Sequence, residues 1–181
     1  MRSNLTIYKC KKEDYLLRQG NYEDLRWMCT EALASFYGFE FDGPTRTPEL
    51  HRARNHECVY IADWETTSRN FANFTYWYLV YLIRSNFHPK TANRIGQYEI
   101  RKMQEACKRI FQKGVKCEFF SDEEISENPM LRFLDNYIGT DNPSQKFLSD
   151  AQQTYTVFKL LESTDFENEV ILFTVSDVIY I

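Results

Sequence analysis

The stretch Phe71–Ile83, FANFTYWYLVYLI, constrains this chain more than any other. Its last ten residues, Phe74 to Ile83, carry no charge, no Gly and no Pro, and five of them are aromatic. Each large aromatic buries roughly 150–250 Å², so such a run needs apolar surface on most of its sides. Ten residues are about half of the ~20 that cross a bilayer, which predicts a buried central element and no membrane partner. Its β-branched and aromatic content suits a strand, but the span from Ser68 to Phe87 suits a helix. Thr66, Thr67 and Ser68 offer caps and Pro89 a stop, so the expectation is a buried helix.

The surrounding pattern supplies what could wrap it. Leu5 to Cys10 alternates as a short strand. Asn21 caps an amphipathic helix, Tyr22 to Tyr37, whose apolar positions include Leu25, Met28, Cys29, Ala32 and Leu33, with Gly38 as its stop. Phe39 to Phe41 reads as a short edge, Asp42 to Pro48 as a loop, and Glu49 to Glu57 as a polar turn or loop. Cys58 to Ala62 is a second strand. Thr91 or Asn93 can cap a helix over Arg94–Lys113, closed by Gly114, with Ile100, Met103, Cys107 and Ile110 on one side. Val115 to Phe120 reads as a strand. Asn128-Pro129 and Asn142-Pro143 each place a cap before a proline at the first helical position. They predict a short helix with Met130 to Ile138 and a longer one running to Leu161. The chain closes on an apolar strand, Glu169 to Ile181, single or hinged at Ser176-Asp177, that must be paired to avoid an aggregating edge. The fold class is therefore α+β: about five helices packed on a small mixed sheet formed by both chain termini and the 58–62 region. At 181 residues, with no internal repeat or linker-like stretch, residues 1–181 read as a single domain.

Charge and cysteines narrow the setting. Residues 1–120 carry 19 Lys and Arg against 14 Asp and Glu, while residues 121–181 carry 3 against 12, giving a net charge of −4. A partner would feel such an asymmetry before contact. The five cysteines, Cys10, Cys29, Cys58, Cys107 and Cys117, are widely spaced with no CxxC, and the first fifteen residues lack an apolar leader. Free thiols and a cytoplasmic location are the expectation.

Chemistry is sparse. Asp63 and Glu65, in ADWETT (Ala62 to Thr67), lie two apart on the second strand and so share one face, as a divalent-metal catalytic pair would. Glu65, Thr66 and Thr67 serve equally well to satisfy N–H groups at the start of the following helix, and that reading is preferred. The hexapeptide resembles the first motif of the DEDD exonucleases, Asp-x-Glu on a strand, and Tyr137-Ile-Gly-Thr-Asp141 is similar to that family's Tyr-x3-Asp motif. The resemblance implies metal-dependent cleavage of nucleic acid by Asp63 and Glu65. It covers two short stretches, and no Asp lies between Asp63 and Asp122 to supply the middle ligand. His51, His56 and Cys58 could seed a zinc site but lack a second cysteine pair; an exposed polar loop accounts for them. There is no phosphate loop, nucleophile elbow or dinucleotide fingerprint, so neither a cofactor nor a resident metal is expected.

The basic stretch contributes Arg94, Arg101, Lys108 and Arg109, which a helix could present on one solvent face to a phosphate backbone or an acidic partner. The acidic run contributes Asp122, Glu123, Glu124 and Glu127, a surface for a basic partner. Together these point to a small interaction protein, of inhibitor, immunity-protein or subunit type. It would bind another protein through complementary charge, with a nucleic-acid-processing enzyme as one such partner. A metal-dependent nuclease and a nucleic-acid-binding module using helix 94–113 are the alternatives.

Overall fold

The first strand is built to be buried on both sides, because Leu5 and Ile7 alternate with Thr6, Tyr8 and Cys10 and all five are inaccessible. In the computed structural model, which describes residues 3–38, 58–66, 71–116, 122–127 and 145–177, that strand lies inside a four-stranded sheet. The elements in chain order are β1 (Ser3–Lys11), α1 (Lys12–Arg18), α2 (Tyr22–Tyr37), β2 (Val59–Thr66) and α3 (Phe71–Ile83). A 3-10 turn (Arg84–Asn86) follows, then β3 (Asn93–Ile95), α4 (Gln97–Lys116), α5 (Asp122–Glu127), α6 (Gln145–Leu161) and β4 (Glu169–Asp177). The strand order is β2-β1-β4-β3. Every described pair is antiparallel, so the expected mixed sheet is an antiparallel one. The fold is α+β, and its sheet does join both ends of the chain: β1 and β4 pair from Ser3↔Asp177 to Lys11↔Glu169.

Alternation sorts the sheet's side chains into two cores. Leu5, Ile7, Ile171 and Phe173 face α3, α4 and α6, meeting Phe74, Leu79, Met103, Ile110 and Phe158. Tyr8, Cys10, Val170 and Leu172 face α2, meeting Leu25, Met28, Cys29 and Ala32. A sheet covered on both faces needs apolar residues at successive positions, and Val170 to Phe173 provides them. Gln104 on α4 donates from Nε2 to the Phe158 carbonyl at 3.0 Å, tying α4 to α6 where both are buried.

The central apolar run is the helix α3, shorter than the 68–87 span and closed by the 3-10 turn. Phe74, Thr75, Tyr78, Leu79 and Ile83 form its buried stripe, while Trp77 is 46% exposed, so one side is left uncovered. Asn21 caps α2 by accepting from the Asp24 N–H at 3.2 Å, and Gly38 ends it in the left-handed region at φ 77°. The next helix departs from expectation. Arg94 lies in β3, Thr91 spends its hydroxyl on the Tyr22 carbonyl at 2.8 Å, and the start of α4 is held by Gly96, whose N–H donates to Glu99 Oε2 at 2.7 Å. A carboxylate three residues on can reach back in this way, which moves the start past Asn93. α4 also runs through Gly114 to Lys116, so Val115 and Lys116 are helical where a strand was expected. The expected edge, loop and turn over 39–57, the rest of the strand over 117–120, and the helix Met130 to Ile138 lie outside the described residues, as do both Asn-Pro caps. Among the described residues no helix is long and apolar enough to cross a membrane.

Two outcomes follow from the cores. Phe158 is fully buried between α4 and the sheet, so Phe158→Ala should cost about 3–5 kcal/mol in urea unfolding. Burial pushes the Tyr8 phenol and the Cys107 thiol above their ordinary values. In the unfolded chain such groups lose protons from about pH 8.5 (Cys) and about pH 10 (Tyr). The folded state then holds more protons, so unfolding free energy should fall as pH rises from about 8.5, measurable by denaturation between neutral and alkaline pH.

A candidate interaction site at the edge of the sheet

Among the described residues β2 pairs with a strand on one side only, and one irregularity determines what it displays. The register pairs Tyr8 with Tyr60 but Ile7 with Ala62, so Ile61 is an extra residue, a β-bulge. In a regular strand residues three apart point to opposite faces. The bulge removes that half-turn and brings Tyr60 and Asp63 to the same face, the one covered by α2. Tyr60 Oη donates to Asp63 Oδ1 at 2.6 Å. Tyr37 Oη, from the last residue of α2, donates to Oδ2 at 3.1 Å, and Asn4 Nδ2 reaches the same oxygen at 3.5 Å. Phe36 stacks on Tyr60 with centroids 4.1 Å apart. Burial first, and then the Asp63 carboxylate, raises the pKa of both phenols, so they act as hydrogen-bond donors near neutral pH. Phe36 and Tyr37 remain 60% and 51% exposed. The result is a carboxylate gripped by phenols inside an open aromatic patch.

The same strand borders a groove of about 550 Å³, lined by Tyr60 to Trp64 and, on α6, by Ser149, Gln152, Gln153, Thr156 and Val157. Gln152, Gln153 and Thr156 are exposed, giving α6 a polar wall against the strand edge.

The expected site residues fall into separate places. Asp63 is on the face expected, but its oxygens accept from tyrosine hydroxyls and an amide. Glu65 occupies the register position opposite Asn4, two along from Asp63; its side chain lies outside the described ones. Tyr137, Asp141, His51 and His56 are outside the described residues as well. Among the described residues no group of three or more His, Cys, Asp or Glu is arranged to hold a metal ion.

The basic residues divide. Arg101 and Lys108 are exposed on α4 with Arg109 half-buried beside them, whereas Arg94 sits on β3 with its guanidinium 5.7 Å from the Tyr15 ring of α1. That places Arg94 with the α2-side core and away from α4. Glu105 lies within the α4 stripe and pairs with Lys102 at 3.2 Å. The Lys108 ammonium is 5.8 Å from the Tyr155 ring of α6. Glu162, just past α6, has its pKa lowered chiefly by its bond to Lys159, with Lys108 adding to the effect. Asp122 and Glu123 are exposed on α5; the side chains of Glu124 and Glu127 are outside the described ones. Lys9 pairs with Glu169 at 3.3 Å, so β1 and β4 also bring opposite charges together. At these two places residues of the basic and acidic parts of the sequence meet.

Phe36, Tyr37, Tyr60 and the α6 wall escape a reading of the sequence. Phe36 and Tyr37 look like an ordinary helix end, and no residue pattern announces the bulge that turns Tyr60 toward Asp63. Comparison with protein-family models, curated proteins and solved structures found no match to this chain.

Replacing the charge at the centre of the patch tests its electrostatics. In Asp63→Asn the Tyr60 phenol should titrate at lower pH than in the wild type while staying above an ordinary tyrosine, because burial remains. Tyrosine absorbance or NMR titration reads this, and an unshifted Tyr60 would show that the carboxylate does not hold it.

Proposed function

We propose that this protein works by binding another protein, and that the bound element is an extended segment of the partner laid against the outer edge of β2. The observation that carries the reading is the groove along that edge: among the described residues β2 has a neighbour strand on one side only, β1. An edge strand offers a row of backbone donors and acceptors that an incoming strand can pair with. Gln152, Gln153 and Thr156 supply side-chain hydrogen-bonding groups across the groove. Phe36 and Tyr37, with Phe36 stacked on the half-buried Tyr60, supply the exposed aromatic surface in which interface energy concentrates. The charge interleaving at α4 favours this edge over a purely electrostatic contact, since Glu105 and Glu162 offset the cations of that helix.

Selection of linear peptides displayed on phage against the purified chain tests the reading. Selected peptides should slow amide hydrogen exchange along 59–66, and Phe36→Asp should weaken them at least about tenfold, or roughly 1.4 kcal/mol. Peptides that protect α4 instead, with affinity falling steeply as salt rises, would count against the edge and for a charge-driven contact.

A further inference from the structure

The β1–β2 ladder continues toward a pair of cysteines. Its register steps from Tyr8↔Tyr60 to Lys9↔Val59, and the residues next along the two segments are Cys10 and Cys58. Both belong to the core beneath α2, where Cys29 joins them. Cys10 and Cys29 are each 1% exposed, while Cys58, just before β2, is partly open to solvent. The Cys58 side chain lies near enough to Cys10 and Cys29 to act on them electrostatically. All three are free. Tyr8, Asp14 and Arg18 are the other ionisable groups near them. Directly opposed residues of an antiparallel pair have Cα atoms about 4.5–5.5 Å apart. Disulfides span Cα separations of about 4.4–6.8 Å, so one further step of the same register would bring these two residues to bonding range.

We propose that Cys10 and Cys58 are an oxidisable dithiol, a modification site that a peroxide converts to a disulfide joining β1 to the start of β2. The step balances as follows. Hydrogen peroxide takes two electrons from the sulfur of Cys58, the more accessible residue of the pair, giving a sulfenic acid and one water. The Cys10 sulfur then attacks that sulfur, the S–S bond forms, the S–OH bond breaks, and the hydroxyl leaves with the Cys10 proton as a second water. Cys29 is the third thiol in reach, but it projects from a helix and not from the facing strand. Cys107, buried in the opposite core, is an internal control. The proposal is independent of the binding function: neither cysteine lines the groove.

Peptide mapping of the full chain by mass spectrometry, after hydrogen peroxide treatment and alkylation of the remaining thiols, tests it. The expected product has lost two hydrogen atoms, carries a Cys10–Cys58 link, leaves Cys29 and Cys107 alkylated, and reverts with dithiothreitol. The same treatment of chain unfolded in urea should scramble the pairing, which shows that the fold selects the pair. In Cys29→Ser the Cys10–Cys58 link should still form. A Cys29–Cys58 link, or Cys58 oxidised to the sulfinic acid with Cys10 still alkylated, would overturn the proposal.

Discussion

The backbone ladder between β1 and β4 is the constraint from which the remaining architecture follows. It joins the first and last described strands through nine residue pairs, which puts β1 in the interior of the sheet, with both faces covered and both edges taken. Interior strands are apolar on both faces, and Leu5 to Cys10 meets that demand by giving Leu5 and Ile7 to one core and Tyr8 and Cys10 to the other. Among the described residues β2, across β1 from β4, has a neighbour strand on one side only. Among the described residues β2 is also where a groove and exposed rings coincide.

A single inserted residue then decides what the edge displays. Ile61 is the bulge, and without it Tyr60 would face the α6 side while Asp63 faced α2. With it, Tyr60 and Asp63 hydrogen-bond each other and Tyr37 closes on the carboxylate from the end of α2. The network also fixes how α2 ends against β2, since Phe36 is held flat on the Tyr60 ring. A carboxylate that looks like a metal ligand in a strand motif is in this fold the acceptor at the centre of an aromatic patch. Interaction sites reuse such bulges because they re-aim side chains without disturbing the rest of a ladder.

The charge pattern teaches the same lesson at larger scale. A chain whose first two thirds are basic and whose last third is acidic suggests a molecular dipole. In the fold some of these opposite charges meet: Lys9 pairs with Glu169 across the ladder, and Glu162, past α6, lies near Lys108 on α4.

Much of the scaffold was legible in the residues themselves. Asn21 and Gly38 bracket α2 through local cap chemistry, the alternation of Leu5 to Cys10 marks a strand, and the uncharged run after Phe74 marks a buried element. Such features depend on neighbours three or four residues away, so they survive without knowledge of the fold. Other features answer to residues far along the chain. Thr91 is drawn from capping by the Tyr22 carbonyl, Asn93 to Ile95 becomes a strand because β4 offers an edge, and Arg94 leaves the basic stripe for Tyr15. The bulge at Ile61 and the approach of Cys10 to Cys58 belong to the same group, because register is a relation between two strands and neither strand's sequence contains it. The residues alone determined which segments are apolar and how α2 is capped at each end; only the tertiary structure decided where α4 begins and ends and which polar groups would meet.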